Sequence, residues 1–185
     1  MSEVETPRLD VGRPAVAFDL PATDGRRYRF GDVAGEKGTV VAFICNHCPY
    51  VQAMIDRLAE DARELMDEGI GCVAICANDE EAYPADSFPK MIEFAATHAL
   101  PFPYLHDEDQ SVARAFGAVC TPDLFGFDAK GMLRYRGRLD GGRAGPVPEG
   151  TRRELVEAMR QIARTGEGPV EQMPSMGCSI KWKEQ

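Results

Sequence analysis

Two cysteines separated by two residues are the part of this chain best suited to chemistry. Cys45 and Cys48 lie in the segment CNHCPY, with His47 between them and Pro49 directly after. Two thiols at this spacing can form a disulfide or share a metal ion, and a thiolate is a strong nucleophile. A redox switch, a metal site and a pair of inert thiols in a turn are therefore the alternatives that the motif alone leaves open.

The elements predicted around this motif place it between a strand and a helix. Residues 39–44, TVVAFI, are apolar and rich in β-branched side chains, which is typical of a buried central strand. From Val51 to Met66 apolar residues recur in steps of three and four, and Gly69 follows, so we predict a helix that stops near this glycine. Pro49 suits the first helical turn because that position needs no backbone donor.

The start of this helix should favour a thiolate over a thiol. Unpaired backbone N–H groups and a partial positive charge lie at a helix N-terminus. We therefore predict that Cys45 has a lowered pKa and attacks a substrate disulfide, and that Cys48 resolves the mixed disulfide. A protonated His47 would stabilise the thiolate further, and a solvated turn histidine without an electrostatic role is the alternative.

The other four cysteines have separate expected roles. Cys72 and Cys76 lie on a second predicted strand with their Cα atoms about 13 Å apart, too far for a disulfide, so we interpret them as buried core thiols. Cys120 precedes Thr121-Pro122, an X-Pro bond that is a candidate for the cis form. Cys178 can fold back from the tail as an extra resolving thiol, and an ordinary packed or exposed cysteine is the alternative.

The order of the predicted elements indicates an α/β fold. A hairpin within residues 16–30 comes first, and strands then alternate with helices before a second hairpin at residues 124–135. Strands separated by helices imply parallel pairing, whereas hairpins add antiparallel strands. We predict a single domain over residues 1–185 with a mixed central β-sheet flanked by helices, an N-terminal β-hairpin and an irregular C-terminal tail at residues 166–185.

Composition and charge exclude several classes of partner. The chain has 185 residues, 44% of them hydrophobic, with a net charge of −9 and a pI of about 4.9. This balance suits a folded domain and argues against nucleic acid or an anionic membrane surface as a partner. The first 30 residues lack a signal-peptide pattern, no apolar run approaches the length of a membrane span, and six cysteines are too few for a secreted disulfide scaffold. We expect a cytoplasmic protein, with its oligomeric state left open.

Five segments together carry a family resemblance: VGRPAVAFDLPATDG, CNHCPYV, CTPDLFGFD, YRGRLD and GCSIKWK. The sequence resembles the thioredoxin-fold redoxin (AhpC/TSA-like) family, which includes peroxiredoxins and thiol-disulfide oxidoreductases. More narrowly, it resembles a peroxiredoxin-like subgroup with the CNHCPYV motif. The resemblance implies a thioredoxin-like fold in which a cis Thr121-Pro122 bond lies against Cys45 and Cys48, with Cys120 nearby.

The sequence also departs from the family pattern. Peroxiredoxins carry PxxxTxxC, and the resemblance aligns their peroxidatic cysteine with Cys48, so that Val41 and Cys45 replace the proline and the threonine. The family's arginine is missing as well, and rapid peroxidase chemistry is therefore not favoured. Thr39 stands where thioredoxin has a buried aspartate, which leaves the proton acceptor for Cys48 unassigned. Three acidic residues are candidates for it: Asp79, Asp86 and Asp123.

The leading hypothesis is a thiol-disulfide oxidoreductase that acts on protein or small-molecule disulfides and thiols. Thr121-Pro122 would offer backbone groups to a substrate chain, which would join as an added strand. The second hypothesis is a peroxiredoxin-like thiol peroxidase with an antioxidant role. In that case Cys48 or Cys45 forms a sulfenic acid, which the other cysteine, Cys120 or Cys178 then resolves.

A hypothesis of another class is copper or zinc binding. Cys45, Cys48 and His47 supply thiolate and imidazole ligands, and Cys178 is a further candidate. The chain has no second CxxC motif, so only two thiolates are secure. We therefore predict neither a resident metal nor another cofactor.

Overall fold

The computed structural model describes residues 2–7 and 11–184. In chain order its strands and helices are β1 (Glu3–Glu5), β2 (Asp19–Pro21), β3 (Arg27–Arg29), α1 (Phe30–Val33), β4 (Thr39–Phe43), α2 (Pro49–Asp67), β5 (Gly71–Cys76), a short 3₁₀ helix (Pro84–Asp86), α3 (Phe88–Thr97), β6 (Tyr104–His106), α4 (Ser111–Phe116), β7 (Cys120–Thr121), β8 (Asp123–Phe127), β9 (Leu133–Gly137), α5 (Glu154–Thr165) and β10 (Met176–Ser179).

The central sheet is mixed, as the element order predicts. Its five strands lie in the order β6-β5-β4-β8-β9. The pairs β4–β5 and β5–β6 are parallel because a helix lies between the members of each pair, whereas β8 pairs antiparallel with β4 and β9. The strands β2 and β3 form the predicted N-terminal hairpin. The predicted α/β thioredoxin-like architecture is therefore confirmed.

Strand β4 separates the two layers of the core. Its side chains alternate between the faces of the sheet, and all five residues are buried. Val40 and Ala42 face the layer formed by α2 and α5, whereas Val41 and Phe43 face the layer that contains α4. This central position fixes the end of β4, and with it Cys45, between two packed layers.

Helix α2 begins directly after the CxxC motif. Cys48 is its N-cap, with φ −68° and ψ 123°, and Pro49 is its first residue. The helix runs to Asp67, and Gly69 follows with φ +92°, a conformation that L side chains rarely adopt. Met66, predicted on the apolar face, is 38% exposed because it lies at the edge of that face. No helix in the described part of the chain is long and apolar enough to cross a membrane.

The C-terminal tail contains a strand, and the prediction that it is irregular throughout is wrong for residues 176–179. Strand β10 lies between β1 and β7 and pairs antiparallel with both. In this register Cys178 stands opposite Thr121. A Cβ atom on Gly177 would lie 2.0 Å from the Thr121 carbonyl oxygen, so this approach of the two backbones requires a glycine. The tail thereby reaches the segment that precedes Pro122.

Candidate active site

The two motif cysteines lie where the fold changes from strand to helix. Cys45 follows β4 by two residues, and Cys48 caps α2. Their exposed fractions are only 1% and 0%, and both are thiols in the structure. Burial of this degree excludes solvent from both sulfur atoms, so the neighbouring groups decide their charge.

The segment that contains Pro122 lies against both cysteines. The Thr121-Pro122 peptide bond is cis, as the family resemblance implies. The Thr121 hydroxyl oxygen lies 3.4 Å from the Cys45 Sγ, and the Cys48 thiol donates to the Thr121 carbonyl oxygen at 3.1 Å. The structure thus brings Thr121 and both motif cysteines together.

Two further cysteines lie near this pair, and only one of them contacts it. The Cys178 Sγ is 3.2 Å from the Cys48 Sγ. The Cys120 thiol instead donates to the Pro122 carbonyl oxygen at 3.5 Å, and burial raises its pKa well above the ordinary value. Cys178 is therefore the extra thiol that the fold places at the site.

The pKa values of the pair have the opposite order to the predicted one. A hydrogen bond from the Cys45 thiol lowers the pKa of Cys48 to about 5, and the backbone N–H of Val51 acts in the same direction. The pKa of Cys45 is raised by this bond, by burial and by the negative charge of Asp86. The hydrogen bond that Cys48 donates to the Thr121 carbonyl oxygen can form only while Cys48 is protonated. This bond therefore partly opposes the lowering of the Cys48 pKa. The lowered pKa predicted for Cys45 therefore falls on Cys48 instead, because Cys45 donates the hydrogen bond between them and is buried beside Asp86.

His47 is held by one of the three candidate acidic residues. Its Nδ1 lies 2.5 Å from the Asp86 Oδ2 and 3.9 Å from the Cys45 Sγ, and its ring stacks on Tyr83. The other Asp86 oxygen accepts the backbone N–H groups of Asn46 and His47 at 2.8 and 3.2 Å. A cation on His47 would therefore be largely balanced by Asp86 before it could act on Cys45.

The other two acidic candidates lie in different surroundings. Asp123 is buried and forms an ion pair with Arg136, at 2.8 Å from its Nη2. Asp79 is half-buried and accepts backbone N–H groups of its own loop. Within the described part of the chain, Asp86 is the one of the three that hydrogen-bonds to the CNHC segment.

Cys72 and Cys76 are buried core thiols, as predicted. Burial raises the pKa of each to about 12. Both thiols therefore stay protonated at neutral pH, and neither is a nucleophile in the folded protein.

One set of donor atoms can hold a metal ion, and it differs from the predicted set. Ligand atoms of Cys45, His47 and Asp86 lie within 4.8 Å of one another. Zinc accepts sulfur, nitrogen and carboxylate oxygen donors, so the chemistry of the set fits. The ion would have to replace the hydrogen bond between His47 and Asp86, whose ligand atoms are 2.5 Å apart. Asp86 takes the place that the sequence analysis gave to Cys48.

Sequence reasoning missed the amide side chains that fix this network. Asn78 donates to the Asp86 Oδ2 at 2.8 Å and accepts the Lys181 backbone N–H at 3.0 Å, so it connects the site to the tail. Asn46 accepts the Tyr104 hydroxyl at 2.9 Å. The sequence could have pointed to Asn46 because it lies inside the motif. For Asn78 the sequence offers no indication of a role beyond its position shortly after a strand.

Comparison with known proteins now identifies the family. The sequence profile described as the AhpC/TSA family matches residues 11–136, about two thirds of the chain. The chain belongs to the AhpC/TSA family. The matched region contains the CxxC motif and Thr121-Pro122. Members of this redoxin family act through reactive thiols, so the chain is a thiol oxidoreductase or thiol peroxidase.

Similar proteins have names from thiol chemistry or share the fold. A Mycobacterium tuberculosis protein named as a candidate peroxiredoxin is 26% identical over 130 residues, which cover 70% of this chain and 78% of that protein. The thiol:disulfide interchange protein DsbE of Pseudomonas fluorescens is 26% identical over 145 residues, covering 76% and 74% of the two chains. A crystal structure of a conserved protein from Geobacillus kaustophilus has a TM-score of 0.94 and 41% identity, with 100% and 98% of the two chains covered.

Proposed function

We propose that this AhpC/TSA-family chain is a thiol-disulfide oxidoreductase whose working pair is Cys45 and Cys48. The observation that supports it best is the placement of both sulfurs beside Thr121, with a pKa of about 5 for Cys48. A site with one thiolate and one adjacent thiol contains both parts needed for exchange. The similarity to DsbE, named for thiol:disulfide interchange, supports the same reaction.

The reaction starts from the Cys48 thiolate. This sulfur attacks one sulfur of a substrate disulfide, a mixed disulfide forms, and the first substrate thiolate leaves. The departing thiolate takes up a proton, and Cys45 loses its own. The Cys45 sulfur then attacks the Cys48 sulfur and releases the second thiolate. Two electrons have passed to the substrate, and a Cys45–Cys48 disulfide remains.

Two features of the site revise the roles expected from the sequence. The order of pKa values supports attack by Cys48 and resolution by Cys45, the reverse of the prediction. Strand β10 already pairs with Thr121 on one side, so a substrate strand would have to join the other edge of β7 or displace β10. Since both sulfurs are buried, a small disulfide or a locally displaced segment is needed for contact with a partner. We propose that the partners are such disulfides and thiols in the reducing cytoplasm.

The test is exchange with glutathione disulfide, followed by mass spectrometry of the cysteine peptides. We expect a Cys45–Cys48 disulfide in the oxidised protein, with Cys72 still open to alkylation after unfolding. Cys48→Ser should abolish exchange, whereas the matched variant Cys72→Ser should keep the wild-type rate. Exchange at the wild-type rate in Cys48→Ser would contradict the proposal.

Peroxide reduction is the second candidate function. The relative named as a candidate peroxiredoxin and the thiolate at Cys48 both favour it. Cys48 would take one oxygen from a hydroperoxide to give a sulfenic acid and an alcohol, and Cys45 would then form the disulfide and release water. Arg136 cannot readily polarise the peroxide, because it binds Asp123 and the Gly117 carbonyl oxygen. Disulfide formation faster with hydrogen peroxide than with glutathione disulfide would favour the peroxidase.

A further inference from the structure

We propose that Cys178 is a second resolving thiol for Cys48, so that three sulfurs take part in exchange. This inference rests on the proposed function. The Cys48 sulfur lies 3.2 Å from that of Cys178. A disulfide bond of about 2.05 Å would need the two atoms to approach by only about 1.1 Å. Cys48 therefore has two disulfide partners within reach: Cys45 in the same motif and Cys178 in the C-terminal tail.

The backbone around Cys178 is held in place at the site. Strand β10 pairs with β1 and with β7, and Cys178 stands opposite Thr121, directly before Pro122. On the N-terminal side, the Ser175 hydroxyl donates to the Pro122 carbonyl oxygen at 2.8 Å. On the C-terminal side, the Ile180 N–H donates to the Val119 carbonyl oxygen at 3.1 Å. The tail thus presents a thiol to Cys48 from a fixed strand.

This strand occupies the position in which the sequence analysis expected a substrate chain. An extended peptide paired at Thr121, with a sulfur atom facing Cys48, has the geometry of a bound substrate in β-strand addition. β10 provides that arrangement within the molecule. Cys178 is therefore an intramolecular exchange partner, present at high effective concentration without any binding step.

The reactivity of Cys178 depends on whether Cys48 is a thiolate or part of a disulfide. Burial raises the pKa of Cys178 to about 12, and the adjacent Cys48 thiolate adds to the effect. Once Cys48 is part of a disulfide, its negative charge is gone and this repulsion ends. Cys178 can then lose its proton more easily and attack, whereas in the fully reduced protein it stays a thiol.

The exchange step balances without an outside oxidant. The Cys178 sulfur attacks the Cys48 sulfur of a mixed disulfide, the Cys48–Cys178 bond forms, and the substrate thiolate leaves with the proton from Cys178. The same attack on a Cys45–Cys48 disulfide forms the Cys48–Cys178 bond and releases Cys45 as a thiol. Oxidised protein therefore contains two interconverting disulfide isomers that share Cys48.

Trapping with glutathione disulfide tests the inference. In Cys45→Ser we expect Cys178 to displace glutathione from Cys48, giving a Cys48–Cys178 disulfide and little adduct by intact mass. In Cys45→Ser/Cys178→Ser no resolving thiol is left, so the adduct on Cys48 should be about tenfold more abundant. The matched control Cys45→Ser/Cys120→Ser should behave like Cys45→Ser, because the Cys120 thiol binds the Pro122 carbonyl oxygen instead.

The outcomes separate this inference from the proposed function. Equal adduct in Cys45→Ser and in Cys45→Ser/Cys178→Ser would overturn the role of Cys178 and leave exchange at Cys48 intact. No adduct on Cys48 in either variant would overturn Cys48 as the nucleophile, and the inference with it. Wild-type protein oxidised by glutathione disulfide provides a second measurement, since peptide mapping should find the Cys48–Cys178 linkage beside Cys45–Cys48.

Discussion

Replacement of Cys45 by alanine should move the titration of Cys48. The hydrogen bond from the Cys45 thiol is the largest contribution to the pKa of about 5, with smaller contributions from the Val51 N–H and from Cys178. Cys45→Ala removes the donor, so burial dominates and the pKa of Cys48 should rise. Cys45→Ser keeps a hydroxyl donor and should restore much of the lowering. Comparison of the two variants therefore separates the effect of the hydrogen-bond donor on the Cys48 pKa from the effect of the side-chain volume.

The size of the pKa shift decides whether the rate at one pH or the midpoint of the pH profile should be measured. At pH 7 a thiol with a pKa of about 5 is about 99% thiolate, whereas one at the ordinary value of 9.0 is about 1% thiolate, a difference of about 100-fold. Over the same four pKa units the intrinsic nucleophilicity falls by about 40- to 100-fold, because its Brønsted slope is about 0.4–0.5. The two effects nearly cancel in the rate at pH 7. The midpoint of the pH profile is therefore informative, and a single rate is not.

The assay is iodoacetamide modification of the reduced protein across the pH range, with Cys48 followed by peptide mass spectrometry. Wild-type Cys48 should show a midpoint near pH 5, and the midpoint should be higher in Cys45→Ala than in Cys45→Ser. Cys72, with a pKa of about 12, is an internal marker, since its modification would report unfolding. Equal midpoints in wild type and Cys45→Ala would refute the assignment of the low pKa to the Cys45 hydrogen bond.

Two substitutions test the packing that positions the site. Gly177→Ala should displace β10, because the new Cβ would lie 2.0 Å from the Thr121 carbonyl oxygen, and thermal denaturation should show a lower Tm. The control Gly145→Ala places its Cβ with no atom within 4 Å and should leave the Tm unchanged. Arg136→Met leaves buried Asp123 without its partner and should lower the free energy of unfolding by about 3–5 kcal/mol in urea titrations. The exposed Arg152→Met should cause no measurable change, and equal effects of the two arginine variants would contradict this reasoning.

Local patterns were sufficient to predict the elements that carry the motif. The apolar run at residues 39–44 predicts a buried strand, and β4 spans Thr39–Phe43. The steps of three and four after Pro49 predict a helix, and α2 begins at that proline. Both predictions succeed because the burial pattern determines the sequence pattern. A strand buried on both faces is a continuous apolar run, and a helix buried on one face has apolar residues in steps of three and four. The cysteine pair at the junction follows from these two elements alone.

Contacts between distant parts of the chain leave no such trace. β10 consists of Met176–Ser179, whose residues give no strand pattern, and its place depends on the register with Thr121. Asp86 was one of three acidic candidates, and only the fold shows that it binds the backbone N–H groups of the motif. The sequence could name Cys178 and Asp86 as candidates, but it could not select them from their alternatives.

The wrong pKa order has more than one physical origin. The benefit of the helix N-terminus was assigned to Cys45, the first cysteine of the motif, but this benefit falls off within one turn and acts most strongly at the N-cap. The N-cap is Cys48, whereas Cys45 lies three residues earlier and close to the negative charge of Asp86. The hydrogen bond that Cys45 donates, its burial beside Asp86 and the N-cap position of Cys48 together place the charge on Cys48. A thiolate at Cys48 lies next to both Cys45 and Cys178, which is why one nucleophile can be resolved from two sides.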